Sequence, residues 1–304
     1  MLIANPIYDS AFKFLMKSKD MAKHFLSVLL DREIEIESFD ATEDTFINTS
    51  NITGFSTQRM DFSATITEPN GKKRKVLIEL QKSHTDTDIS RFRRYLASAY
   101  YDKDNVIKNN EHKEIISIYI LGFSLKTPVA VVRTSTQLID ATTGEQLNAN
   151  TDDETFIRKL HHESIFIDTS KLDKKLNTRI DKLLSIFNQK YTDKNLNNFT
   201  LSIPVEKMDS EDVALVLPLA EHLNKALMDE PTRSHLMAQE EFNLALERNI
   251  QKEKMEAVAE AVKKAEEDAK QKEKLEMAKA LQVEGMPIEM IMRITKLSRE
   301  EIES

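Results

Sequence analysis

The sequence predicts an α/β protein: a mixed sheet flanked by helices, followed by a helical C-terminal extension. Three observations lead there. Helix-period apolar stretches open the chain. Strand-length apolar runs bracket a strong turn signal between Gln58 and Gln81. From about Ser234 to Gln282 the chain contains neither Gly nor Pro and is mainly Ala, Glu, Lys, Met and Leu. The expected division is an α/β domain over residues 1–230 and a helical region over 231–304.

The elements follow in order. Tyr8, Ala11, Phe12, Leu15 and Met16 have helical spacing, as do Ala22, Phe25, Leu26, Leu29 and Leu30, so the first forty residues read as helical up to a strand beginning near Glu33. Gln58 to Thr67 is β-rich, Glu68-Pro69-Asn70-Gly71-Lys72 is a turn, and Lys75 to Gln81 is the return strand. Ile89, Phe92, Leu96 and Ala99 place a helix over Asp88 to Asp102. Glu114 to Phe123 is a continuous apolar run, the signature of a strand covered on both faces. Val129 to Arg133 and Ser164 to Asp168 read as further strands, and Asp173 to Gln189 and Ser210 to Met228 as helices.

In the last third, Met255, Val258, Val262, Ala265 and Ala269 are spaced 3, 4, 3, 4, a short a/d seam. The sign-mixed charge around it fits a solvated helix face, and the seam fits a coiled coil or a helix docked on a partner, with a homo-oligomer among the expectations. After Gly285 come two short helical stretches, the second started by Ser298 with Glu300 and Glu301 behind it. They fit packing or a helix-turn-helix.

Composition removes several function classes. With no Cys among 304 residues there is no disulfide scaffold, thiolate zinc site or Cys nucleophile. The five glycines stand far apart, so neither GxGxxG nor GxxxxGK[ST] occurs. Apolar runs fall short of the roughly 20 residues of a membrane span, and the first residues lack signal-peptide features. The expectation is a soluble cytoplasmic protein. A net charge of −8 argues against indiscriminate nucleic-acid coating but permits a local basic groove. His161-His162-Glu163 lacks HExxH spacing, no GxSxG elbow is present, and the 12 methionines suit adaptable packing.

The hairpin carries the informative residues. Glu79 and Gln81, two apart on one strand, leave the same face. A loop with an odd number of residues centred on Asn70 pairs Asp61 with Glu79, Cβ atoms about 5 Å apart. A two-residue Asn-Gly loop shifts the register by one and turns Glu79 away. Facing carboxylates repel unless a divalent cation sits between them, and Mg²⁺ takes one or two carboxylates plus waters. The plainer alternative is a half-exposed strand with alternating polar residues.

Asp61, a hairpin, then Ile78-Glu79-Leu80-Gln81 resembles the D…ExQ variant of the PD-(D/E)XK nuclease superfamily, in particular the bacterial recombination-promoting nuclease/putative transposase family. Asp9-Ser10-Ala11-Phe12-Lys13 resembles that family's D-x-x-F-K helix, and Arg94-Tyr95 with Tyr100 its Arg-Tyr…Tyr helix. Gly285, Ile291, Thr295, Leu297, Ser298 and Glu300-Glu301-Ile302 resemble its C-terminal segment. The match covers most of the chain and is densest over residues 5 to 125. The chain departs from the pattern where Ile167-Asp168-Thr169-Ser170-Lys171 replaces a Leu-Pro-Lys-like sequence, and where Gln81 occupies a position that is commonly Lys. Lys82 is adjacent, but strand parity turns it to the other face.

The resemblance implies a restriction-endonuclease-like core and Mg²⁺-dependent (or Mn²⁺-dependent) hydrolysis of DNA. Asp61, Glu79 and the Leu80 carbonyl would hold the metal, and Gln81 would position water. Lys13 would supply the missing cation, and Asp9 would be a further acidic group or simply a helix-start residue. DNA phosphates would meet Lys72, Lys73, Arg74 and Lys75 at the turn and Arg91, Arg93 and Arg94 on the following helix, clusters that equally suit solvated surface. The competing class is a catalytically degenerate DNA- or protein-binding module assembling through its C-terminal helix.

Overall fold

The computed structural model describes residues 1–40, 43–46, 57–82, 88–107, 111–134, 137–146, 161–172, 177–192 and 197–303. The chain forms two compact units, Met1–Glu240 and Glu241–Ser304. Strands are β1 (Leu2–Ala4), β2 (Glu35–Asp40), β3 (Glu43–Phe46), β4 (Thr57–Met60), β5 (Phe62–Thr67), β6 (Lys73–Gln81), β7 (Val106–Ile107), β8 (Glu111–His112), β9 (Glu114–Leu121), β10 (Val131–Thr134), β11 (Glu163–Asp168) and β12 (Thr200–Ser202). Helices are α1 (Asp9–Met16), α2 (Lys19–Leu29), α3 (Asp88–Tyr101), α4 (Arg179–Leu184), α5 (Ser210–Met228), α6 (Glu230–Val283), α7 (Ile288–Thr295) and α8 (Arg299–Glu303), with short 3₁₀ turns between some of them.

Six strands make one mixed sheet in the order β10-β11-β9-β6-β5-β2. β6, β9 and β11 run parallel, while β5 lies antiparallel to β6 and to β2, and β10 antiparallel to β11. Both inner strands β6 and β9 are buried on alternating faces, as a continuous apolar run demands. On one face Phe62, Val76, Ile78, Ile116, Ile118, Ile120, Ile165 and Ile167 pack with α1, α2, α4 and α5 through Phe12, Phe25, Leu184 and Leu219. The other face carries α3, held by Tyr95 and Ala99 against Leu77 and Ile115.

Three local outcomes differ from the sequence reading. The N-terminus is not helical throughout: Leu2–Ala4 pairs with Thr200–Ser202 as a small antiparallel ribbon, and three residues are too few to show periodicity. The β-rich stretch from Gln58 to Thr67 is two strands, broken at Asp61, because β4 pairs with β3 while β5 enters the main sheet. Asp209 caps α5, its carboxylate accepting from the Asp212 N–H at 2.8 Å. Of the helix expected over Asp173 to Gln189, residues 173–176 lie outside the described residues, and regular α-helix covers Arg179–Leu184 behind a Thr178/Asp181 capping box.

In the second unit, α7 and α8 fold onto the end of α6 around Ala278, Ile291, Leu297 and Ile302. Ser298 and Glu301 form a reciprocal cap: the Ser298 N–H donates to Glu301 Oε2 at 2.8 Å, and the Glu301 N–H to Ser298 Oγ at 3.3 Å.

One glycine matters for the end of β6. A Cβ on Gly122 would stand 2.6 Å from the Lys82 carbonyl oxygen, and the Gly122 N–H donates to the Gln81 carbonyl at 2.8 Å. Gly122→Ala is expected to destabilise the first unit by about 1–3 kcal/mol in denaturant unfolding, as overpacking against backbone does. An unchanged midpoint contradicts the close approach.

Candidate functional site at the end of the β5–β6 pair

The turn sets the geometry. The Glu68 N–H donates to the Lys72 carbonyl at 2.9 Å and the Gly71 N–H to the Glu68 carbonyl at 2.8 Å, so the loop proper is Pro69-Asn70-Gly71. Gly71 sits at φ +81°, the left-handed position that a three-residue hairpin loop gives to glycine. The register runs from Thr67↔Lys73 to Phe62↔Ile78. This is the odd-loop register; one further step would set Asp61 opposite Glu79, but the ladder ends at Phe62↔Ile78.

At that step the chain turns out of the sheet toward β4, and the Asp61 carboxylate lies beside the β6 backbone. Its Oδ2 accepts the Leu80 N–H at 2.6 Å. The N–H and C=O of one strand residue point to the same side. The Gln81 carbonyl faces β9, where it accepts from Gly122, so the Leu80 carbonyl, one residue earlier, faces the side where Asp61 stands.

Helix α1 closes the site. Asp9 and Lys13, one turn apart, form an ion pair with Lys13 Nζ 2.8 and 2.9 Å from the two Asp9 carboxylate oxygens. Asp61 neighbours Asp9. Burial and the neighbouring Asp9 charge push the Asp61 carboxyl up to about 7, against the opposing pull of the Leu80 N–H and Lys13. Glu79 and Gln81, 6% and 9% exposed, leave β6 on the face that carries α3. Glu79 is level with Tyr119 on β9; that hydroxyl is raised by burial first and then by the Glu79 charge. Phe92, Tyr119 and Phe166 form a row of rings with centroids 4.9 Å apart beside it.

The fold therefore gathers Asp9, Lys13, Asp61 and the Leu80 backbone, while Glu79 and Gln81 leave the same strand on the α3 face, the side opposite α1. Lys82 is the residue the sequence reading set aside. It does turn to the other face, but α1 lies there: its Nζ stands 4.0 Å from the centroid of the Tyr8 ring, next to Asp9. Parity along β6 gave its direction, and the position of α1 gives it a neighbour.

The expected phosphate contacts divide. Lys72 pairs with Glu114, and Lys73 with Glu37 at 2.6 Å. Arg74 is 13% exposed and sits among Glu68, Glu114 and Glu163 at 2.9, 3.3 and 3.5 Å. These charges brace the sheet edge, and Lys73 lies six residues, about 20 Å, along β6 from Glu79. Lys75 is half-buried, Arg93 and Arg94 are exposed on α3, and the Arg91 side chain lies outside the described residues. His162 packs edge-on to Tyr100 at 6.3 Å. Asp168 and Lys171, in the segment that departs from the family pattern, form an ion pair at 3.1 Å and anchor the Leu125 backbone.

Among the described residues, no three acidic or histidine side chains come together as a preformed metal centre. The donor chemistry nonetheless suits a hard cation held partly by water. A buried carboxyl raised by a neighbouring carboxylate is relieved by a proton or by a compensating cation, and Mg²⁺ needs only one or two carboxylates.

The raised Asp61 fixes a pH signature. From its ordinary value of 3.8 to about 7, the folded carboxyl holds a proton that the unfolded one has released. Stability therefore falls as pH rises through this window, with the full cost present above it. Asp61→Asn is expected to raise the Tm relative to wild type by several degrees at pH 8 and much less at pH 5, read by differential scanning calorimetry. Equal differences at both pH values contradict the assignment. Compared with protein-family models, curated proteins and solved structures, the chain finds no match.

Proposed function

We propose that this protein is a divalent-metal-dependent DNA endonuclease of the PD-(D/E)XK type, in its D…ExQ form, acting in recombination or on mobile elements. The observation that supports the reading is the register of the β5–β6 pair, which brings the Asp61 carboxylate to the Leu80 amide, beside Asp9, at the level of the ExQ segment. The resemblance of these motifs to the recombination-promoting nuclease family supplies the substrate class.

In this reading Asp61, Glu79 and the Leu80 carbonyl hold Mg²⁺ or Mn²⁺. When bound, the cation polarises a phosphodiester oxygen and lowers the pKa of water. The chain's own groups do the rest. Gln81, uncharged, orients the attacking water through its carboxamide. Lys13, paired with Asp9 on α1, and Lys82, over the Tyr8 ring from the end of β6, place positive charge near the phosphate where Gln81 has none. Asp9 holds Lys13 in place and sets the proton affinity of Asp61. Arg93 and Arg94, exposed on the helix after the ExQ strand, take backbone phosphates.

A second reading, a DNA- or protein-binding module whose site has lost catalysis, draws on the neutral Gln81 and on the hairpin cations committed to carboxylates. Plasmid nicking separates the two. Wild type is expected to nick supercoiled DNA with Mg²⁺ and not with EDTA. Glu79→Ala is expected to lose more than the roughly 10–100-fold that removal of an outer-shell partner costs. Equal cleavage by wild type and variant overturns the nuclease reading.

A further inference from the structure

Within the second unit, the apolar core is built at the far end of α6, where Leu275, Ala278 and Leu281 meet α7 and α8. The earlier stripe is left uncovered by the rest of that unit. Met255, Val258 and Val262 are 73%, 61% and 53% exposed, and Ala265 and Ala269 continue the same seam, also exposed. A helix with three large apolar side chains in water over two turns has a face without a partner.

The charges that flank this seam identify the partner. With Met255, Val262 and Ala269 at a and Val258 and Ala265 at d, the e positions are Lys252, Ala259 and Glu266, and the g positions are Lys254, Ala261 and Asp268. All six are exposed, and Lys252 makes only a loose 3.9 Å contact with Glu256 on its own helix. Positive charge flanks one end of the seam, negative charge the other, and alanine the middle. In a parallel pair, g of one copy meets the following e of the other: Lys254 would meet Ala259, Ala261 would meet Glu266, and Asp268 would meet Glu273, a like-charge contact. In an antiparallel pair, e meets e and g meets g. Lys252 then meets Glu266 and Lys254 meets Asp268, each twice by symmetry, while Ala259 and Ala261 each meet their own copy. The core layers become Met255 on Ala265 and Val258 on Val262, large against small and medium against medium, which fills the seam evenly.

We infer that two copies of this chain associate through the Lys252–Ala269 segment of α6 as an antiparallel coiled coil centred between Val258 and Val262. Small a and d residues make the seam short and its affinity modest, so the flanking ion pairs decide orientation and partner more than strength. The inference stands on helix α6 alone and is independent of the hydrolytic reading.

Sedimentation equilibrium of the full chain at low salt tests it. Wild type is expected to show a concentration-dependent dimer. Lys252→Glu with Lys254→Glu is expected to give monomer, as is Glu266→Lys with Asp268→Lys. The two double variants mixed, or all four substitutions in one chain, should restore the dimer. Because the chain has no cysteine, orientation is read directly. A short bis-maleimide is expected to join a Lys254→Cys chain to an Asp268→Cys chain and to leave Lys254→Cys alone unlinked, since those two sites lie about 20 Å apart along the pair. A wild type that stays monomeric, a charge swap that fails to restore the dimer, or efficient linking of Lys254→Cys to itself overturns the inference.

Discussion

Asp61 reaches the Leu80 amide because the turn before β6 counts three residues and not two. Gly71 in the left-handed region closes the loop as Pro69-Asn70-Gly71, and the register that follows carries Asp61 to the Glu79-Leu80 step. A shift by one residue would send every side chain of β6 to the opposite face. Ile78 and Leu80 would then leave the core and Glu79 would enter it, so the apolar packing and the acidic site are specified by the same constraint. The break of the strand at Asp61 adds the second half. A residue inside β5 would point perpendicular to the sheet, whereas a residue at the bend can lay its carboxylate against the neighbouring backbone.

The two ends of β6 handle charge in opposite ways. At the turn, Arg32, Lys72, Arg74 and Arg133 pair with Glu68, Glu114 and Glu163 in a partly buried network. Such a network fixes geometry more than it adds stability. At the other end, Asp61 is buried beside Asp9 with Lys13 as the nearby cation, and the folded state bears the cost as a raised Asp61. A strongly perturbed carboxyl at a strand end marks the place in this fold where a functional group is most readily sought.

Much of this was legible beforehand, and the exceptions have physical reasons. The hairpin, the doubly covered strand β9 and helix α3 announced themselves through turn chemistry and periodicity, which are local. The loop length was open between two registers, since Asn-Gly serves both, and only the pairing itself decides. Parity gave the direction of Lys82, but not what it meets there, because α1 is separated from it by some seventy residues. The Lys72–Lys75 cluster looked like a basic patch because its carboxylate partners, Glu37, Glu114 and Glu163, come from three different strands. β1 and β12 are each too short to signal themselves and exist through their pairing.

The central claim is that the end of the β5–β6 pair binds one divalent cation through Asp61. A crystal soaked in Mn²⁺ above pH 7, measured for anomalous scattering, tests this directly. The account expects one peak at coordination distance from Asp61, the Leu80 carbonyl and Glu79, lost in Asp61→Asn. No peak at Asp61, or a cation held by Asp9 and Asp61 with Glu79 still turned toward Tyr119, would contradict it.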